Sequence, residues 1–269
     1  MVALTLEGVT HVYEESRVIA LDGIDLAIGE RERVALVGQN GSGKTTLVRH
    51  LNGLLRPTSG RVLIDGADVR RTPVAELART VGLVFQDPDR QIFAGSVRHE
   101  VEYGPRNLGI RGAALREAVD RALTAVGLEG EQKTNPYDLG ASRRKLLAMA
   151  SVLAMGTAVL VLDEPTTGQD ARGVERVRRV MDAAHATERT VIAVSHDMRF
   201  VAEAFDRVVV LRDGRIIADA SPKLVFGRAS WEALRSTYLE PPLAARMGER
   251  LGLGSTPTDA SLIGALRAR

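Results

Sequence analysis

The chain has 269 residues, 45% of them hydrophobic, which is enough apolar material to bury a substantial core in one or two domains. With 36 basic and 34 acidic side chains its formal charge is +2, too near balance for the broad basic surface of a nucleic-acid binder, so no nucleic-acid partner is expected. The absence of cysteine excludes a disulfide framework, a thiolate zinc site and a cysteine nucleophile.

Apolar residues alternate over residues 2–6 and 24–28, with turn residues between them, which predicts a small antiparallel β region at the start. The run Val34-Ala35-Leu36-Val37 predicts a strand buried on both faces, followed by a glycine-rich turn and a helix over 44–54. Further strands are predicted over 81–85, 159–162 and 190–195, separated by segments of helical spacing. That alternation predicts an α/β fold with a mostly parallel sheet covered by helices. Over 95–155 the strand pattern gives way to Ala/Leu/Arg-rich stretches at 112–126 and 143–153, which predict an inserted helical subdomain. A hairpin is predicted from 207–211 through Asp213-Gly214 to 215–217. Beyond Ser221-Pro222 the composition shifts, with Pro241-Pro242 among short helical pieces, so an extension at 221–269 is expected after a principal domain at 1–220. No apolar stretch approaches the roughly 18 residues that cross a bilayer. Residues 1–7 show no targeting pattern, and a cytoplasmic location is the default expectation.

Only four of the 36 cations are Lys, so a lysine in a special place stands out. Gly38-Gln39-Asn40-Gly41-Ser42-Gly43-Lys44-Thr45 fits G-x-x-x-x-G-K-[ST] and lies between the buried strand and the helix. The glycines let backbone N–H groups converge on phosphate oxygens, the helix start adds its dipole, Lys44 supplies a compact cation and Thr45 offers a hydroxyl to Mg²⁺. An ordinary glycine-rich turn would not require that Lys and Thr. Asp163 and Glu164 end another buried strand, where α/β sheets gather their ligands. Asp163 suits the metal, and Glu164 suits a water attacking the terminal phosphate. Taken alone, the pair reads equally well as a helix cap and a first-turn acid. His196 and Gln86 each follow a strand at the same sheet edge. Either is a strand-end polar residue in isolation, and their convergence points to the phosphate. Tyr13, near the first strands, either stacks on a base or packs.

These residues resemble the ATPase subunits of ABC transporters over about residues 4–219, with every motif in order. The resemblance implies a P-loop NTPase that binds ATP with Mg²⁺ through Gly38, Gln39, Asn40, Gly41, Ser42, Gly43, Lys44, Thr45 and Thr46. It places Tyr13 on the adenine, Thr45, Gln86 and Asp163 at Mg²⁺, and Glu164 and His196 in catalysis, with a loop ending at Asp170 that the family calls the D-loop. More narrowly, Val84-Phe85-Gln86-Asp87-Pro88-Asp89-Arg90-Gln91-Ile92-Phe93 and Glu102-Tyr103-Gly104-Pro105-Arg106-Asn107-Leu108-Gly109 resemble the energy-coupling-factor branch, which powers vitamin and transition-metal uptake. Pro241-Pro242-Leu243-Ala244 and Leu251-Gly252 resemble that branch's dimerising extension. The implied partners are a second ATPase subunit and integral membrane subunits, with the chain peripheral at the cytoplasmic face. Gln91, Ile92 and Phe93 either receive a coupling helix from such a subunit or pack in the core.

One motif departs from the family. Leu-Ser-Gly-Gly-Gln is replaced by Leu139-Gly140-Ala141-Ser142-Arg143, followed by Arg144-Lys145. In the family this signature serves the triphosphate held by the opposing subunit. Either Ser142 substitutes from a shifted position, or the site built on this signature is weakened and the chain pairs with a different ATPase subunit rather than a copy of itself. A soluble non-transport ABC ATPase and a regulatory ATP-binding subunit are the alternative functions; a phosphate-loop kinase would have no use for Gln86, His196 and the D-loop together.

Overall fold

A computed structural model describes residues 3–268. Val2, part of the first predicted alternation, lies outside the described residues. Three layers are stacked. The first is an antiparallel sheet of β1 (Leu4–Tyr13), β2 (Val18–Ile28), β4 (Ser59–Ile64) and β5 (Ala67–Asp68), in the order β2-β1-β4-β5. The middle layer comprises β3 (Arg33–Val37), β6 (Val81–Val84), β7 (Val159–Asp163), β8 (Thr190–Val194), β9 (Arg207–Arg212) and β10 (Arg215–Ala220), in the order β10-β9-β3-β8-β7-β6. All neighbours in it are parallel except the β9–β10 hairpin.

Strand periodicity builds the layers. Val34, Leu36, Val159, Val161, Ile192 and Val194 face one core, shared with Leu47 and Leu51 of helix Lys44–Leu51 and with Leu4, Leu6 and Ile24 of the antiparallel sheet. Their neighbours Ala35, Val37, Leu160, Leu162, Val191 and Ala193 face a second core. Both faces of β3, β7 and β8 are therefore dry, which is why these strands read as unbroken apolar runs rather than alternations.

The second core is closed by helices Val97–Asn107, Gly112–Val126, Ala141–Met155, Ala171–Ala186 and Met198–Ala204. The first three form the inserted helical region. The extension shares this core, since Phe226, Leu234 and Ala245 are buried in it. Ala245 belongs to helix Leu243–Arg250; helix Asp259–Arg267 follows it, and Arg199 bonds Asp259 at 2.7 Å. Among the described residues no helix is long and apolar enough to cross a membrane.

Candidate active site

Four neighbouring strands deliver the site. In the order β3-β8-β7-β6, their carboxyl ends run into the glycine-rich loop, His196, Asp163 with Glu164, and Gln86. Register aligns them, with Leu36 beside Val194, Asp163 beside Val194 and Val84 beside Leu162. Parallel pairing thus gathers residues that are far apart in the chain.

The loop needs its glycines. At Gly43, φ is +102° and a Cβ would lie 2.3 Å from the Ala20 carbonyl oxygen; at Gly38 a Cβ would lie 2.2 Å from that of Leu211. Gly43 also gives helix Lys44–Leu51 no side-chain cap, so its first-turn N–H groups are open to an anion. Lys44 is buried and donates to the carbonyls of Gly38 and Gln39, each at 2.7 Å. Burial lowers its pKa, opposed by the nearby Glu164 and Asp163 carboxylates.

Thr45 donates to Asp163 Oδ1 at 3.3 Å. Burial pushes the Asp163 carboxyl above its ordinary range; the Thr45 bond opposes this, and the Glu164 charge adds to it. Among the described residues no cluster of three His, Cys, Asp or Glu forms an all-protein metal cage. One carboxylate with a hydroxyl nonetheless fits Mg²⁺, which takes oxygen ligands and usually completes its shell with waters and substrate phosphates.

Glu164 is 7% exposed and has φ +52°, an uncommon backbone for a non-glycine residue. Its N–H donates to the Val194 carbonyl at 3.0 Å, and its Oε2 accepts from Thr167 Oγ1 at 3.2 Å. His196 Nδ1 lies 2.7 Å from the same Oε2. The sequence suggests separate tasks for Glu164 and His196; in the structure they are hydrogen-bonded to each other. Tyr13, 37% exposed, has its hydroxyl 3.0 Å from Thr46 Oγ1. It walls a cleft of about 410 Å³ shared with Val18, Ala20, Asn40, Gly41, Lys44, Thr45, Gln86 and Glu164.

Several contributors escaped sequence reading. Lys145 is buried and donates to the carbonyls of Glu164 and Thr167, at 2.9 and 3.0 Å. A second cleft, of about 750 Å³, holds Gly38, Gln39, Glu164 and His196 on one wall and Thr237, Tyr238, Glu240 and Arg246 of the extension on another. Neither leaves a local pattern. The segment after Gln86 divides: Ile92 is 3% exposed and belongs to the core, whereas Phe93 is 59% exposed and stands edge-on to Tyr103 at 4.6 Å. Buried Glu100 holds this turn by accepting from the N–H groups of Phe93 and Ala94. In the departing motif, Gly140 caps helix Ala141–Met155. The Ser142 hydroxyl donates to Gln169 Oε1 at 2.8 Å, and Gln169 Nε2 returns a bond to the Ser142 carbonyl at 3.1 Å.

The profile of the ABC transporter family matches residues 21–167. The energy-coupling factor transporter ATP-binding protein EcfA of Methanocaldococcus jannaschii is 40% identical over 233 residues, covering 86% of this chain and 83% of that protein. A putative ABC transporter ATP-binding protein of Methanosarcina mazei is 42% identical over 218 residues, 81% of this chain, which spans only 43% of that longer relative. Among solved structures, cbiO1 of Clostridium perfringens, described as part of the ABC transporter complex cbiONQ, superposes with a TM-score of 0.76 at 35% identity, covering 93% of this chain and 98% of its own.

Proposed function

The chain belongs to the ABC transporter family, and on that footing we propose that it is an ATP-binding and ATP-hydrolysing subunit of the energy-coupling-factor type, energising uptake of a vitamin or a transition-metal ion. The observation that carries the reading is the meeting, at four adjacent strand ends, of the phosphate loop, His196, the Asp163-Glu164 pair and Gln86.

Lys44 and the N–H groups between Gly38 and Thr46 bind phosphate oxygens, with Ser42 lining the loop and Tyr13 flanking the adenine. Thr45, Gln86 and Asp163 hold Mg²⁺, which when bound neutralises charge on the terminal phosphates. Glu164 takes a proton from the attacking water, and its contact with His196 fixes which carboxylate oxygen does so. The other ring nitrogen of His196 serves the terminal phosphate. ATP becomes ADP and phosphate, and the loss of contacts to the γ-phosphate releases the closed pair of subunits.

A second ATPase subunit completes the site. The internal bonds of Ser142 support a weakened signature in this chain, and with it a companion carrying an unaltered one. Exposed Leu243 and Met247, one turn apart on the extension's helix, support its role in pairing. Exposed Phe93 against Tyr103 supports docking of a membrane subunit's coupling helix, which holds the chain at the membrane surface. The test is ATP turnover of the purified chain, alone and with a companion ATPase, joined to co-purification with integral membrane proteins in detergent. Stimulation by the companion is expected; robust turnover alone overturns the mixed pair, and failure to bind ATP overturns the whole reading. Phe93→Ala should uncouple transport from hydrolysis with nucleotide affinity intact.

A further inference from the structure

Glu164 holds a left-handed backbone conformation that is uncommon for a non-glycine residue. Pro165 follows it, which disfavours a helical alternative and leaves the turn to be set by outside contacts. Four hydrogen bonds come from within the turn or from the end of the neighbouring strand β8: the bonds of Glu164 N–H to Val194, of Thr167 N–H and Oγ1 to Glu164, and the pairing with His196. The fifth and sixth come from a helix. Lys145, one turn into helix Ala141–Met155, reaches across with a buried ammonium and donates to the carbonyls of both Glu164 and Thr167.

The geometry points to Lys145 as a positioning residue for hydrolysis: by tying the two ends of the 164–167 turn to the helix of the departing signature, it sets the direction in which the Glu164 carboxylate faces the phosphate site. This rests on the reading of Glu164 as the base. Three facts converge on it. Lys145 is 6% exposed, so its ammonium is not one of the chain's solvated surface cations. Its hydrogen bonds go to main-chain oxygens rather than to a carboxylate, so they fix backbone direction, while its charge also attracts the nearby Glu164 and Asp163 carboxylates. Its helix also carries Ser142, bound to Gln169 just beyond the same turn. The signature helix and the catalytic turn are thereby joined at two points within one chain, at Lys145 and at Ser142, and a displacement of one carries the other.

The experiment measures steady-state ATP hydrolysis by the full chain in the assembly in which it turns over, together with equilibrium binding of Mg-ATP and thermal melting. Lys145→Met should lower kcat by about 10- to 100-fold, as misdirection of a reacting group does, while KM and Mg-ATP affinity stay within about twofold. Lys145→Arg, which can still reach both carbonyls, should recover most of the loss. If Lys145→Met folds poorly, Lys145→Gln removes the charge and keeps two donors, and the same split between kcat and KM is expected in milder form. Wild-type kcat in both the Met and Gln variants overturns the proposal. So does a loss shared equally by kcat and binding, or an equal loss in the Arg and Met variants. Glu164→Gln separates the two assignments: retained turnover there removes Glu164 as the base, whereas lost turnover there with normal turnover in Lys145→Met leaves the base standing and removes Lys145.

Discussion

The phosphate loop and the signature loop both open a helix at a glycine, with no side-chain cap and no acid in the first turn. Gly43 adopts φ +102° and stacks against the Ala20 carbonyl, so the loop before it folds into a cradle; Gly140 is extended at φ −62°, with open space where a side chain would sit. Lys44 folds back into its own loop, whereas the Ser142 hydroxyl is held by Gln169. A bare helix start therefore does not make an anion site by itself. What precedes it decides whether its N–H groups act together.

The sharpest way to break this contrast is Lys44→Ala, which should weaken Mg-ATP binding by about 100-fold in calorimetry through loss of charge-assisted bonds. An unaltered affinity would mean that the cradle binds nothing. Next, restoring the family pattern with Gly140→Ser, Ala141→Gly, Ser142→Gly and Arg143→Gln should raise turnover of the chain on its own by about 10-fold, because donors at a phosphate site act strongly in catalysis. No gain would place the deficiency elsewhere. Ser142→Ala in the native background should change turnover by only about twofold, since its hydroxyl serves Gln169. A larger loss would show that the hydroxyl does more than hold Gln169 in place, either at a phosphate or in tying the signature helix to the catalytic turn.

The smallest effect concerns acid. His50, one turn beyond Thr46 on the phosphate-loop helix, is buried, its Nδ1 lies 2.7 Å from the Thr46 carbonyl, and its Nε2 has no hydrogen-bond partner among the described residues. Burial lowers its pKa from the ordinary 6.5, with the neighbouring His11 also lowering it and the bond to the Thr46 carbonyl opposing. The unfolded chain then binds the proton more readily, so stability is full above about pH 6.5 and is lost as pH falls below it. Melting curves from pH 7.5 to about 5 should show that loss, and His50→Leu should flatten it.

What the sequence disclosed followed from how local each signal was. β3, its glycine loop and the next helix are contiguous, and buried strands read as apolar runs. The Asp213-Gly214 hairpin matched as well, with β9 and β10 on either side. β4 and β5 went unread because Ser59–Ile64 mixes polar and apolar residues and owes its place to pairing with β1. Lys145 was invisible for another reason: its partners lie 19 and 22 residues away, and only the crossing of a helix over a strand end makes them neighbours. Ile92 and Phe93 looked alike in the chain, yet the turn held by Glu100 sends one inward and the other to the surface.

Phe226 sits wholly enclosed among the residues that close the helical face of the central sheet. Cutting the chain before it would leave a void worth about 3–5 kcal/mol, as removal of a large aromatic from a packed interior does. The extension is thus a keystone rather than an attachment: it cannot be traded between proteins without also rebuilding the interior on which the catalytic wall rests.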